Sequence, residues 1–304
     1  MSFKLHGLVA ATHTPFDGAG QLQLAAVERQ AEHLLRNGVK TVFIGGSTGE
    51  SHSLTFDERR ALAQRWSEVL RGVHMRLVVH VGSNCLSDAR ALAAQAAELN
   101  ADAIAALAPS YFKPKSIEVL VACCAEIASA AKQTPFYFYD IPVLTGVNFS
   151  MPEFLRQAAD RIPTLAGIKF TNADLMAYQS CLQVSGGRYD IPWGVDEYLL
   201  AALALGAVGG VGSSYNFAAP IYHRLLAAFE RGDVASARVE QFRSVQLIEL
   251  LAGYGYMAAA KAVMGFLSVD VGPARSPNVN LSREQKGSLR EDLNRIGFFE
   301  WIEG

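Results

Sequence analysis

Short apolar stretches alternate with amphipathic ones along most of this chain, and that alternation constrains the fold more than any other feature. Residues 7–12, 41–44, 77–81, 103–107, 135–140, 165–171, 189–194 and 207–211 read as strands. Helical periodicity follows each of them, over 24–37, from about 57, then 87–99, 117–131, 151–159, 175–184, 197–205 and 220–230. The local signals agree with this. Val27, Ala31, Leu34 and Leu35 share one helix face, and Gly38 follows as a stop. The Asp57 carboxylate suits an N-cap, and Pro152 is tolerated in a first turn. Pro192 is acceptable in a strand only near its start or at an irregularity. Strand then helix, eight times, predicts an α/β chain of the (β/α)8 TIM barrel type. From about Asp233 onward helical periodicity continues without strands, broken at 273–277 before a last helix over 282–295. The expected organisation is a catalytic barrel over 1–231 and a helical extension over 232–304 packed on it, with no linker between them.

Composition fits that picture. A chain of 304 residues suits one barrel with an extension, and half its residues are hydrophobic. A net charge of −2 gives no electrostatic case for nucleic acid. No apolar run is long enough to span a membrane, and the opening Met1-Ser2-Phe3-Lys4-Leu5-His6-Gly7 lacks a signal-peptide core. Cys85, Cys123, Cys124 and Cys181 show no C-x-x-C spacing, which fits a reduced, cytoplasmic compartment. The seven histidines are scattered, with no His-x-x-x-His pair near carboxylates, so no metal is expected.

In such barrels the chemistry sits at the C-terminal ends of the strands. The stretch Leu165-Ala166-Gly167-Ile168-Lys169-Phe170-Thr171 places a lysine there, in an otherwise apolar strand. Burying an ammonium is costly unless it is paired or neutralised, and a lysine in a dry pocket is the usual source of a nucleophilic amine. Alternation sets Gly167, Lys169 and Thr171 on one face and Ile168 and Phe170 on the other. The same end of the barrel receives Ser47 and Thr48 in a glycine-rich turn, Tyr139 from the fifth strand, Asp196 and Glu197 after the seventh, and Ser213 and Ser214 after the eighth. Open backbone and two hydroxyls suit a carboxylate, and a phenol beside a lysine suits proton relay. Together these groups suit a 2-oxo acid bound as an imine.

At these residues the chain resembles the N-acetylneuraminate lyase and dihydrodipicolinate synthase superfamily of class I aldolases. The motifs are Gly45-Gly46-Ser47-Thr48-Gly49-Glu50, Tyr139-Asp140-Ile141-Pro142, Gly167-Ile168-Lys169 and Gly212-Ser213-Ser214-Tyr215-Asn216. Gly194-Val195-Asp196-Glu197 looks like the sugar-binding motif of the lyase branch, and Leu5-His6-Gly7-Leu8-Val9-Ala10-Ala11-Thr12 looks closer to the animal-type lyases than to the bacterial ones. The resemblance implies that Lys169 forms a Schiff base with pyruvate, that Tyr139 moves protons, and that Ser47 and Thr48 hold the carboxylate. It implies that Thr171, Gly194, Asp196, Glu197 and Ser213 contact the sugar. It matches Tyr111 to a tyrosine that supports the catalytic one near a subunit interface. It further implies small-molecule substrates (sialic acid, pyruvate and N-acetylmannosamine), a homotetramer, and no metal or organic cofactor. The turn Pro142-Val143-Leu144-Thr145-Gly146 lacks the arginine with which the synthase branch binds a second carboxylate. The alternative within the superfamily is another pyruvate-dependent 2-oxo acid aldolase or dehydratase.

Two rivals come from other classes: a non-catalytic sensor built on the same barrel, against which the intact Lys169 and Tyr139 count, and a serine hydrolase. Gly45-Gly46-Ser47-Thr48-Gly49 fits G-x-S-x-G, with Asp196 and His223 following in hydrolase order. Ser51-His52-Ser53-Leu54-Thr55 separates that serine from the next helix, which a nucleophile elbow does not allow.

Overall fold

The computed structural model describes residues 4–303; Met1, Ser2 and Phe3 of the opening segment, and Gly304, lie outside the described residues. Parallel strands and helices alternate as β1 (Gly7–Ala11), α1 (Ala26–Arg36), β2 (Thr41–Ile44), α2 (Phe56–Val69), β3 (Arg76–His80), α3 (Leu86–Glu98), β4 (Ala103–Leu107), α4 (Ile117–Ala128) and β5 (Phe136–Asp140). A helical turn, α5 (Pro142–Thr145), then precedes α6 (Met151–Ala158), β6 (Leu165–Phe170), α7 (Leu175–Gln183), α8 (Leu199–Leu205), β7 (Gly209–Gly212) and α9 (Ala219–Glu230). The chain ends in α10 (Val234–Gly253), α11 (Tyr256–Phe266), α12 (Arg283–Ile296) and α13 (Phe298–Ile302).

The sheet runs β6-β5-β4-β3-β2-β1-β7, all parallel. Side chains alternate across it as a pleated strand requires. Val9, Ala11, Phe43, Val78, Ala105, Leu107, Tyr137, Tyr139 and Val211 fill the barrel interior. Leu8, Ala10, Val42, Ile44, Phe136, Phe138, Ile168 and Phe170 face the helical layer. At the N-terminal end of the barrel the Asp190 carboxylate accepts from Leu5 N and from the Tyr137 hydroxyl, each at 2.7 Å.

One expected strand is not regular. Residues 189–194 occupy the gap between β6 and β7 but make only isolated bridges, Gly167 to Asp190, Phe170 to Trp193 and Trp193 to Gly210. Ile168 N and Phe170 N donate to Asp190 O and Pro192 O, while Trp193 N and Val211 N bond across to Gly209 O and Trp193 O. Pro192 has no N–H to give, so the ladder is interrupted although the ring is closed. The start of α2 differs too. Its N-cap is Thr55, not Asp57, because Thr55 and Glu58 satisfy each other's backbone N–H in a capping box.

Beyond the barrel, α10 packs along α9, and α11 brings Lys261 back to the strand ends. There its ammonium meets the Glu50 carboxylate at 2.7 Å and donates to Thr14 O and Pro273 O. Among the described residues no single helix is long and apolar enough to cross a membrane.

Candidate active site

The C-terminal strand ends open into a cavity of about 630 Å3. Lys169, Tyr139, Ser47, Thr48, Thr171, Gly194, Asp196, Glu197 and Ser213 all line it.

Lys169 stands at the floor and is only 3 % exposed. Its strand neighbours Ile168 and Phe170 point outward into the helical layer, which forces its own side chain inward. Its Nζ lies 3.9 Å from the centre of the Tyr139 ring and 4.2 Å from that of Phe43. Aromatic faces thus stabilise the cation, and among the described residues no carboxylate pairs with it.

Tyr139 is the register partner of Lys169 on β5. Its hydroxyl is 3.2 Å from Ser47 Oγ, and His80 packs edge-on against its ring at 5.8 Å. Burial and the nearby Arg59 guanidinium hold the His80 pKa well below the usual histidine range, so the ring is neutral. His80 Nδ1 lies 3.0 Å from Gly45 O, an acceptor only, and that contact ties β3 to the turn bearing Ser47 and Thr48.

The segment paired beside β6 adds carboxylate and hydroxyl to the lining. Asp196 is buried, and burial pushes its pKa up to about 6 against the opposing pull of Ser214. Its Oδ2 accepts from Ser214 N at 2.9 Å and from Ser214 Oγ at 2.5 Å. Glu197 is half-buried beside it. Two glycines make room for these groups. A Cβ on Gly212 would sit 2.0 Å from Asp196 Oδ1, and one on Gly194 would sit 2.0 Å from Thr171 Oγ1. Thr171 Oγ1 is itself buried without a hydrogen-bond partner among the described residues, so a ligand hydroxyl would satisfy it.

Several lining residues escaped the sequence reasoning. Ile248 of α10 and Tyr256 of α11 enter from the helical extension, which the strand-end rule does not cover. Tyr256 OH lies 2.7 Å from Ser213 Oγ, and burial and Asp196 raise its pKa. Pro142 and Val143 come from α5, and Asn172 and Ala173 follow directly on Thr171, where adjacency alone could have flagged them. Tyr111 is not part of the lining. It is 78 % exposed beside Phe112, with its backbone N–H on Asn84 Oδ1. Nor do Ser47, Asp196 and His223 form a triad: Ser47 pairs with Tyr139, Asp196 with Ser214, and His223 Nε2 lies 2.9 Å from Asn37 O, at the C-terminus of α1.

Comparison with known proteins gives the family. The sequence matches the dihydrodipicolinate synthetase family over residues 4–296. N-acetylneuraminate lyase of Rattus norvegicus is 37% identical over 302 residues, covering 98% of this chain and 94% of the relative. Among solved structures, N-acetylneuraminate lyase of Proteus mirabilis superposes with a TM-score of 0.94 at 37% identity, covering 97% of this chain and 100% of that one. The lyase of Aliivibrio salmonicida gives 0.94 at 40% identity, covering 97% and 98%. The family profile spans nearly the whole chain, including every residue that lines the cavity, and the chain belongs to the dihydrodipicolinate synthetase family.

Proposed function

We propose that this chain is a class I aldolase that reversibly cleaves N-acetylneuraminate to pyruvate and N-acetylmannosamine. The observation that carries the reading is one cavity with two unlike ends. A buried lysine and a tyrosine–serine pair form one end, and two carboxylates with the unpartnered Thr171 hydroxyl form the other. The relatives named N-acetylneuraminate lyase support the substrate.

The chemistry follows from the positions. The substrate carboxylate lies against the Ser47–Thr48 turn. The Lys169 amine adds to the 2-oxo carbon, and loss of water gives an imine whose protonated nitrogen draws electrons. The bond between C3 and C4 breaks toward that nitrogen. Tyr139 supplies the proton with which the carbinolamine hydroxyl leaves as water, and its phenolate then takes the C4 hydroxyl's proton as C4 becomes the aldehyde of N-acetylmannosamine. Tyr139 passes that proton to C3 of the enamine left on Lys169, and water, giving a proton back to Tyr139 as it adds to the imine, releases pyruvate and the lysine amine. Asp196, Glu197, Thr171 and Ser213 hold the hydroxylated portion, with Gly194 leaving room beside Thr171. The turn after Tyr139 carries Val143 rather than a cation, which supports a neutral aldehyde partner over an acidic one.

No cofactor is needed for these steps. A homotetramer in the cytoplasm goes with the reading. Four free cysteines support the compartment, and the exposed Tyr111, Phe112, Val143 and Leu144 support an interface that would bring Tyr111 into its supporting role. Borohydride trapping tests the proposal. With pyruvate present it should add a stable mass to the peptide carrying Lys169, and Lys169→Arg should abolish both label and cleavage, since a guanidinium stays protonated. Undiminished cleavage by that variant overturns the mechanism.

A further inference from the structure

The turn Asp196–Tyr198 that presents both carboxylates is a single 3-10 turn at the entry to α8. Such a turn has few bonds of its own; Ser214 holds its Asp196 carboxylate, and α10 holds its backbone. Gln241 Nε2 donates to Asp196 O at 3.2 Å, and Gln241 Oε1 accepts from Leu200 N at 2.7 Å. One amide therefore grips the turn on both sides. Three residues further along the same helix, Ser244 is fully buried and its Oγ lies 2.7 Å from Tyr222 OH. Tyr222 OH is 2.6 Å from Ser214 Oγ, which in turn bonds Asp196 Oδ2.

Proton counting gives this relay a direction. Each hydroxyl has one proton. Ser214 spends its proton on the carboxylate, so it accepts from Tyr222, and Tyr222 accepts from Ser244. Every dipole in the series points at Asp196. The relay stabilises the ionised carboxylate and fixes its rotamer. Ile248, on the same stripe of α10 as Gln241 and Ser244, reaches the cavity directly.

We propose that Gln241 is a positioning residue for sugar selectivity: with the Ser244 relay, it holds the Asp196–Glu197 turn in the geometry that receives a polyhydroxylated aldehyde. The inference rests on the sugar-binding reading of that turn. It makes the helical extension part of the specificity apparatus, because Ser214 of the barrel holds the Asp196 carboxylate while α10 holds the backbone on either side of it. Lys169, Tyr139 and Ser47 are held by other elements and are independent of α10.

Kinetics in the condensation direction test this, because pyruvate and N-acetylmannosamine are varied separately. Gln241→Leu leaves an apolar branched side chain one bond shorter and removes both bonds. Its KM for N-acetylmannosamine should rise about fivefold or more, the scale of losing a neutral hydrogen bond. Its KM for pyruvate and its borohydride trapping at Lys169 should match the parent's. A merely structural role would move both KM values together, and that result overturns the proposal, as does an unchanged KM for N-acetylmannosamine. If Gln241→Leu does not fold, Gln241→Glu retains an acceptor for Leu200 N and loses the donor to Asp196 O, and the same split is expected. Ser244→Ala should shift the same KM through the relay. A parent enzyme that condenses pyruvate with other aldehydes but not with N-acetylmannosamine overturns the sugar reading itself. A parent active on N-acetylmannosamine with an unaltered Gln241→Leu variant overturns only the role of Gln241.

Discussion

Tyr139 presents its ring face, not a hydrogen-bonded carboxylate, to the Lys169 ammonium, 3.9 Å from the ring centre, while its hydroxyl engages Ser47 Oγ at 3.2 Å. The two residues are register partners on β5 and β6, so the sheet itself sets their spacing. This separates two duties of one side chain. The ring cradles the cation, and the hydroxyl, turned to Ser47, is available to move a proton. Tyr139→Phe removes only the second duty. It should lower kcat by roughly 10²–10⁴-fold, the usual scale for general acid–base catalysis, while the apolar packing around Lys169 persists. Stopped-flow or steady-state cleavage of N-acetylneuraminate measures it, and a near-parental kcat would show that another group carries the proton.

The buried pair of Glu50 and Lys261 joins the turn that carries Ser47 and Thr48 to the extension. The two side chains are 1% exposed and 2.7 Å apart, and Glu50 Oε2 also accepts from Arg275 N. Burial lowers the Lys261 pKa and the Glu50 charge opposes that shift. Removing one partner strands the other charge in an apolar surrounding. Lys261→Met should therefore destabilise the protein by about 3–5 kcal/mol, the range for breaking a buried ion pair. The double variant Glu50→Gln with Lys261→Met should lose less than Lys261→Met alone, since no charge is stranded. Urea denaturation of the single and double variants checks this; a double variant less stable than Lys261→Met would contradict it.

Much of the architecture was legible in the sequence, because each strand is a short apolar run and each helix carries its own periodicity. The departures have physical causes. Pro192 breaks the ladder of the segment that closes the ring, an effect its missing N–H foretold without giving the pattern of bridges. Thr55 outranks Asp57 as a cap because only Thr55 has a glutamate three residues later to complete the box. For the site, the strand-end rule collects the residues carried by the barrel into one cavity. It is blind to Tyr256, Ile248 and Gln241, which arrive from helices whose docking no local pattern encodes. Tyr111 stands on the surface of the single chain, and nothing in its local sequence says what covers it.

Asp140 supplies a stability prediction apart from catalysis. It follows Tyr139 on β5, and alternation turns it outward into the helical layer, where Asn172 Nδ2 is 3.3 Å from its carboxylate. Burial pushes its pKa up to about 7. The folded protein thus holds this proton more tightly than the unfolded chain, whose aspartate titrates near 4. Between these two values stability falls as pH rises, and above about 7 the full cost is present. Asp140→Asn removes the titration. Its melting temperature should exceed the parent's at pH 8, and the gap should close as pH is lowered toward 4. Thermal unfolding across that range measures the gap, and a constant offset between the two proteins would rule out the linkage.

The final prediction concerns Asp196 and Glu197 as acceptors for the sugar. Two carboxylates in a poorly solvated cleft repel an acidic aldehyde and accept hydrogen bonds from a polyhydroxylated one. Asp196→Asn and Glu197→Gln keep shape and remove charge. Each should lower kcat/KM for N-acetylneuraminate about tenfold or more, given roughly 1.5–3 kcal/mol for a hydrogen bond to a charged group. Pyruvate trapping at Lys169 should persist, since the imine end of the cavity is untouched. The pH dependence adds a second check. Burial raises the Asp196 pKa to about 6, so the carboxylate is ionised above that value and takes up a proton below it. A protonated Asp196 loses acceptor strength on the sugar side. KM for N-acetylneuraminate should therefore climb as pH falls through about 6, and Asp196→Asn, which has no such titration, should lack that limb. Parental kcat/KM in both variants, together with a KM that is flat across pH 5–7, would remove the sugar-binding role from this turn and leave the aldolase end of the cavity without its assigned partner.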